Sequence, residues 1–269
     1  MEDAKMDLQA EYDNSIKVPN FLEITQGWQR DAEAFRATWP HATLGLPYGT
    51  SERQAIDIFR PSAAPAPMAL FIHGGYWQRM HRHAFSHFAA GLLAHGIAVA
   101  IPSYDLCPTV SMAEIVAQIR KAAAALLRQG TGPLVATGHS AGGHLSAMLL
   151  ATDWPALGLP PGSVKSALPI SGLFDLPPLL HTTLATPLGM DEAEAIRLSP
   201  AFMPSPGLPI HAVVGGKEGP EYERQSRDIA TAWSGIWEVL EGHDHFTIAA
   251  ELINPDSALT KRAAAMVRA

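Results

Sequence analysis

The chain has 269 residues, 47% of them hydrophobic and 17% charged, enough apolar material for a real core and too little charge for a disordered polyelectrolyte. Nineteen lysines and arginines stand against 26 aspartates and glutamates, a net charge of −7 with no basic run, so the attraction to phosphate on which nucleic-acid binding depends is missing. The longest apolar stretch, Ala89 to Pro102, is too short for a bilayer and is broken by His95, which excludes a transmembrane helix.

The acidic opening Met1-Glu2-Asp3 is the opposite of a basic secretory leader, and the single cysteine, Cys107, cannot close an intrachain disulfide. A cytoplasmic location follows as the expectation. The length fits one domain over 1–269, with a helical prelude over about 1–50. In the prelude Phe21, Ile24, Trp28 and Phe35 share a helical face from Phe21 to Trp39, and Pro40 ends it. Ile56 to Phe59 alternates like a strand, and the proline-rich stretch Pro61 to Pro67 reads as a turn.

From Met68 onward short apolar runs alternate with helical stretches. The runs predict strands at Ala69–Ile72, Ile97–Ile101, Leu134–Thr137, Ser166–Ile170, Ile210–Val214 and Trp237–Leu240. Between them helices are predicted at Ala84–His95, Met112–Gln129, Ala141–Thr152, Glu221–Ser234 and Phe246–Arg268, the last broken at Asn254-Pro255. Near-continuous apolar strands alternating with helices indicate an α/β class with a mostly parallel sheet covered on both faces. The proline-rich segment from Phe174 to Ser205, with a short helix at Asp191–Arg197, interrupts this rhythm, and a small cap is placed over 174–205.

Gly138-His139-Ser140-Ala141-Gly142 follows an apolar strand and opens a helix, the context in which a G-x-S-x-G turn presents a nucleophile. The glycines allow strand and helix to come close, which pushes the Ser140 hydroxyl outward, and the N–H of Ala141 is free for a developing oxyanion. His73-Gly74-Gly75-Tyr76-Trp77 ends the Ala69–Ile72 strand, and an oxyanion hole is expected from Gly74, Gly75 and Tyr76 together with Ala141. Tyr76 and Trp77 would suit an aromatic leaving group, core packing being the other account of both rings. Tyr104, just past the Ile97–Ile101 strand, and His139 complete the expected substrate-binding set.

A serine nucleophile needs a base and an acid downstream, in the chain order Ser, Asp or Glu, His. Gly242-His243-Asp244-His245-Phe246 follows the last strand, and spacing leaves both histidines open. The acid loop after Ile210–Val214 carries Glu218 near the strand end and Glu221 at the next helix start, where a carboxylate favours the helix dipole; position prefers Glu218. His83 and His87 share a helical face with His81 nearby, but no Glu or Cys completes a zinc pattern, so they read as surface or cap histidines and neither metal nor cofactor is expected. Cys107 lacks the charged neighbours of a reactive thiolate and reads as packing.

Four stretches, His73 to Trp77, Tyr104 to Pro108, Gly138 to Leu145 and Gly242 to Ile248, together resemble the kynurenine formamidase (arylformamidase) branch of the α/β-hydrolase superfamily. The resemblance extends from Tyr48-Gly49 and Asp57 to Pro61 through to the final histidine loop. It implies an α/β-hydrolase fold, Ser140 as nucleophile, His245 rather than His243 as base, and Glu218 as acid, where many relatives carry aspartate. It also implies cleavage of an N-formyl arylamine such as N-formylkynurenine, the same-class alternative being a carboxylesterase of short-chain acyl or aryl esters. A non-catalytic binding module on this scaffold would be expected to lack the nucleophile or the histidine, and both are present. A small-molecule aryl formamide or ester is then the partner, and a homodimer is allowed.

Overall fold

Apolar side chains on both sides give the inner strands two buried faces, and the sheet they form carries a separate core on each side. In the computed structural model, which describes residues 7–63 and 65–269, Leu70 and Ile72 face one core with Ala98, Ala100 and Ala136. Ala69 and Phe71 face the other with Val99, Ile101 and Val135. The strands are β1 (Ala42–Pro47), β2 (Ala55–Phe59), β3 (Met68–Ile72), β4 (Ala98–Pro102), β5 (Leu134–His139), β6 (Val164–Ile170), β7 (His211–Gly215) and β8 (Ile236–Leu240). They lie in the order β1-β2-β4-β3-β5-β6-β7-β8. β1 and β2 pair antiparallel, β2 meets β4 antiparallel, and every later pairing is parallel.

Three short or long helices precede the sheet: α1 (Leu8–Tyr12), α2 (Asn14–Lys17) and α3 (Phe21–Thr38). Asp7 and Asp13 cap the first two through their carboxylates. Along the chain follow α4 (Ala90–Ala94), α5 (Met112–Arg128) and α6 (Ala141–Leu150), then α7 (Ala185–Leu188), α8 (Glu192–Arg197), α9 (Pro220–Ala232), α10 (Thr247–Ala250) and α11 (Ala258–Arg268). Ser111 and Glu114 form a reciprocal capping box at the start of α5, and the apolar stripe of that helix covers the first core with α6 and Ile229 of α9. The second core is closed by Trp28 of α3, Leu92 of α4, and Leu259 and Val267 of α11.

The strands predicted from Ile56 onward agree with the observed ones to within two residues at each end. β1 was absent from the expected set: Gly45 stands in the left-handed region at φ 69° and the register shifts between Thr43 and Leu46, which destroys the alternation by which a strand is recognised. The helix expected over Ala84–His95 is instead two 3₁₀ turns, Arg82–Ala84 and Ser86–Ala89, followed by α4. Phe85 leaves helical geometry between them, at φ −123° and ψ 6°, and its ring sits in the second core. Met1-Glu2-Asp3 and Ala64 of the proline-rich turn lie outside the described residues. Among the described residues no helix is long and apolar enough to cross a membrane.

α4 illustrates which of two opposed effects governs the fold. Alanine is favoured over glycine inside a helix by roughly 0.5–1 kcal/mol. A Cβ on Gly91 would stand 2.4 Å from the Leu252 carbonyl oxygen and 2.9 Å from Thr260 Cγ2. Backbone cannot yield as a flexible side chain does, and overpacking of this kind costs about 1–3 kcal/mol. Gly91→Ala is therefore expected to lower Tm, and thermal unfolding followed by circular dichroism checks it; a rise in Tm would mean that α4 is free to move off the 251–260 segment.

Candidate active site

Steric exclusion at the end of β5 creates the central feature. A Cβ on Gly142 would lie 1.9 Å from the Ile72 carbonyl oxygen, and one on Gly138 would lie 2.3 Å from the Gly142 carbonyl oxygen. With strand and helix this close, the residue between them takes up the turn: Ser140 has φ 57° and ψ −119°. Strain of this kind costs on the order of 1–3 kcal/mol and persists where the surroundings enforce it. Here Ser140 N–H donates to Ile170 O at 2.9 Å, fixing the turn to β6.

Ser140 opens onto a cavity of about 360 Å³, whose inner wall includes Gly74, Gly75, Tyr76, His139 and His245. Among the described residues the backbone N–H groups of Gly74, Gly75, Tyr76 and Ala141 find no acceptor within the protein. Gly75, Tyr76 and Trp77 have φ of 108°, 50° and 57°, so the loop turns sharply and keeps its N–H groups out of any ladder. Gly74 belongs to this approach as well, since a Cβ there would stand 2.8 Å from the His139 carbonyl oxygen. Ala141 is buried at the first position of α6, where a helix leaves its N–H groups unsatisfied.

The structure brings His245 and Glu218 together. His245 Nδ1 lies 2.5 Å from Glu218 Oε2, and both side chains are almost wholly buried. The other carboxylate oxygen accepts from Gly215 N–H at 2.6 Å and from Ser171 Oγ at 2.5 Å. With Nδ1 donating to the carboxylate, Nε2 is the nitrogen left with a free lone pair. The His245 ring is held between His139 and Tyr222, with centroids 4.5 Å and 4.8 Å away. Glu221 is placed elsewhere, accepting from Tyr12 Oη at 2.5 Å and from Arg224 at 2.6 and 2.8 Å. His243 is partly exposed, and its carbonyl oxygen accepts from Lys217 N–H.

Two expected substrate contacts are corrected. Trp77 is fully buried and sets its ring edge-on against His144 at 5.2 Å, outside the cavity, because consecutive left-handed residues send Tyr76 into the cavity and Trp77 into the core. Tyr104 is also buried away from the cavity, stacking on His73 at 4.4 Å and donating its hydroxyl to His73 O at 2.9 Å. His73 is thus clamped between Tyr104 and Phe85, beneath the glycine loop. Among the described residues no cluster of three potential metal ligands occurs, and burial raises the thiol of the free Cys107 to about 11.

Several lining residues were not signalled by any motif. Trp28 and Phe21 of α3, Phe85, Phe246, Asn14 and Thr183 all face the cavity. Ser171, Tyr222 and the prelude are linked to the site by buried hydrogen bonds. Tyr76 Oη donates to Tyr12 O at 2.6 Å, so Tyr222 Oη, 2.7 Å away, donates to Tyr76 Oη and accepts from Asn14 Nδ2 at 2.9 Å. Lys17 Nζ donates to the Glu218 carbonyl oxygen at 2.8 Å. The only sequence signal for Ser171 would have been its place at the end of a parallel strand, where ligand-facing loops of such sheets lie.

A family model described as BD-FAE matches residues 56–154. The kynurenine formamidase of Salmo salar is 33% identical over 234 residues, which make up 81% of this chain and 79% of the relative. A crystal structure from Silicibacter sp., provisionally described as a thioesterase, superposes with a TM-score of 0.90 at 35% identity, covering 98% of this chain and 100% of that one. Esterase B from Lactobacillus rhamnosis superposes with a TM-score of 0.67 at 17% identity, over 94% of this chain and 95% of that one. Together with the strand order, these likenesses make the fold an α/β-hydrolase fold.

Two measurements follow from this geometry. Glu218→Gln removes the charge facing His245 Nδ1 and is expected to lower kcat by about 10³ to 10⁴. Glu221→Gln breaks the contacts to Arg224 and Tyr12, so unfolding at lower denaturant with kcat within a few-fold is expected; the opposite pattern would exchange the two roles. The second concerns pH. Burial pushes His73 down to about 3 and His144 down to about 4, whereas in the unfolded chain both titrate near the ordinary histidine value of about 6.5. From pH 6.5 downward the unfolded state therefore binds protons that the native state refuses, and stability is lost as pH falls. Tm is expected to stay level above pH 7 and to drop between pH 6.5 and 4; a flat profile across that window would remove these histidines as its cause.

Proposed function

We propose that this chain, which belongs to the kynurenine formamidase family and is a hydrolase, cleaves N-formyl arylamines such as N-formylkynurenine to formate and the free amine. The observation that carries the reading is the pair His245 Nδ1 and Glu218 Oε2 at 2.5 Å, with His245 and Ser140 lining one aromatic-walled cavity. Trp28, Phe85, Phe246 and Tyr76 offer faces and edges on which an aryl group packs.

In this mechanism Ser140 Oγ attacks the formyl carbon while His245 Nε2 takes the hydroxyl proton. The carbonyl oxygen becomes an oxyanion held by N–H groups of Gly74, Gly75 or Tyr76 and of Ala141. Glu218 keeps Nδ1–H oriented and supports the imidazolium. The tetrahedral intermediate collapses as Nε2–H protonates the aryl nitrogen, which leaves as the amine, and a formyl ester remains on Ser140. Water, deprotonated by His245, attacks that ester; Ser140 Oγ regains the proton and formate departs. Residues 174–205 act as the cap of a single domain, supported by Thr183 and Leu184 on the cavity wall beside the prelude. A cytosolic location is part of the proposal, supported by the free thiol of Cys107.

An ester would pass through the same tetrahedral chemistry, so acyl size and leaving group separate the readings. A site fitted to formyl is expected to accept acetyl and to lose activity steeply with longer chains. With purified protein, kcat/KM for N-formylkynurenine is expected to match or exceed that for p-nitrophenyl acetate, with p-nitrophenyl butyrate far behind. Ser140→Ala is expected to reduce turnover roughly 10⁶-fold without loss of fold. No formate release alongside brisk butyrate cleavage would assign the protein as a short-chain carboxylesterase.

A further inference from the structure

Left-handed backbone at residues that carry a side chain gathers around the reacting centre. Among the described residues, the non-glycine positions with positive φ are Tyr76, Trp77, Met80, Ser140, Ser171 and Ser234. Ser234 is exposed just past α9, the first three belong to the loop after β3, and Ser140 is the nucleophile turn. Ser171, at φ 50°, remains, and no step of the mechanism uses it. It stands just past β6 as Ser140 stands just past β5, and the two turns are built alike. Ser140 N–H donates to Ile170 O at the end of β6 at 2.9 Å, and Ser171 N–H donates to Val213 O of β7 at 2.7 Å. Glycine occupies the left-handed region freely, whereas a residue with a Cβ is disfavoured there. A serine at such a position keeps a strained backbone, and its hydroxyl is what glycine would lack.

That hydroxyl has one partner among the described residues. Ser171 is wholly buried, does not line the cavity, and donates Oγ–H to Glu218 Oε1 at 2.5 Å. Gly215 N–H donates to the same oxygen at 2.6 Å, and His245 Nδ1 lies 2.5 Å from the other. The two grips on Oε1 differ in reach. Gly215 lies three residues before Glu218 and accepts from Glu218 N–H at 3.1 Å, so its bond moves with the loop. Ser171 lies 47 residues away at the end of a different strand, so its bond fixes the carboxylate against the sheet. A glutamate side chain has several rotatable bonds, and holding Oε2 before His245 takes a grip from outside the loop as well as one within it. α6 supports the serine turn from behind: a Cβ on Gly143 would stand 2.8 Å from Gly172 Cα.

We propose that Ser171 is a positioning residue for the hydrolysis: its hydroxyl locks Glu218 in the arrangement that faces His245 Nδ1, and the left-handed turn after β6 aims that hydroxyl. The proposal rests on the reading of Ser140, His245 and Glu218 as the hydrolytic centre and adds a fourth side chain behind it. Ser171 touches no reacting atom. It acts on His245 through the carboxylate, so its loss slows each step in which His245 serves as base or acid and leaves ligand binding alone. Acylation and deacylation both use His245 in this way, so the two steps slow together.

Ser171→Ala and Ser171→Gly both remove the hydroxyl, but only glycine relieves the left-handed turn, so the pair separates the side chain from the backbone. With p-nitrophenyl acetate, kcat is expected to fall about 10- to 100-fold in both, the size of a hydrogen bond to a charged group. KM is expected to stay within about twofold, because the lost interaction does not bind substrate. Ser171→Gly is expected to have the higher Tm of the two, so that stability and activity part. In the Glu218→Gln background either change at 171 is expected to lower kcat by less than about twofold more, since the charge that the serine positions is gone. Unaltered kcat in Ser171→Gly, a rate that recovers from Ala to Gly along with Tm, or the full further loss in the Glu218→Gln background would each overturn the proposal. If Ser171→Ala does not fold, Ser171→Gly decides alone, by its kcat and by the Glu218→Gln comparison. Failure of the underlying reading would show separately, as Ser140→Ala or Glu218→Gln keeping the activity of the unsubstituted protein.

Discussion

Contact between two backbones, the ends of β3 and β5 against the first turn of α6, governs the rest of the molecule. With Ile72 O only 1.9 Å from where a Gly142 Cβ would stand, no side chain fits between them. That approach forces φ 57° on Ser140, brings the glycine loop after β3 beside the serine, and leaves Ala141 N–H at the open end of a ten-residue helix. The proposed nucleophile and the proposed anion-binding donors are thus consequences of one packing constraint. The parallel order of β3, β5, β6 and β7 then delivers every later contributor to the same edge of the sheet. Ser171 follows β6, Glu218 follows β7 and His245 follows β8.

The prelude is attached to this edge at the loop that carries Glu218 and at the start of α9. Tyr12, Asn14 and Lys17 reach Glu221, Tyr222 and the Glu218 carbonyl respectively. These bonds are buried or partly buried, where an unmade partner costs about 1–3 kcal/mol, so they hold the prelude more firmly than exposed ion pairs, worth about 0–1 kcal/mol, would do. Of these, Tyr12 and Asn14 also line the cavity. The cavity wall and the loop that carries Glu218 are therefore mechanically linked, through a chain of hydrogen bonds whose direction is fixed at one end by the Tyr12 carbonyl, which can only accept.

What could be read from the sequence was local, and what escaped it was not. Gly138, Ser140 and Gly142 lie within five consecutive residues, and their spacing is itself the steric requirement. The central strands were legible for the same reason, because burial on two faces writes an apolar run. Tyr12 and Glu221 are 209 residues apart, and nothing in the composition of either neighbourhood marks the other. Trp77 shows a different limit: its residue type and place beside a catalytic loop suit a ligand, yet the left-handed φ of 57° directs the indole into the core. The choice between Glu218 and Glu221 rested on distance from a strand end, and the structure adds what position could not, the different partners that each carboxylate holds.

Cleaving an amide asks more of the base than cleaving an activated ester, since the imidazolium must exist long enough to protonate a poor leaving group. Two features of the site favour that state. Glu218 takes three hydrogen bonds, from His245, Gly215 and Ser171, so its longer arm is immobilised as well as charged. His139 lies 4.5 Å from the His245 ring, and a charge there would oppose the imidazolium directly. Burial, followed by the charge of His245 itself, holds the His139 pKa well below its ordinary value, so the neighbouring ring stays neutral when His245 gains its proton. His139 thereby contributes a packing face without competing for charge, and the cation that the proposed mechanism places on His245 is opposed by no charge on the ring beside it.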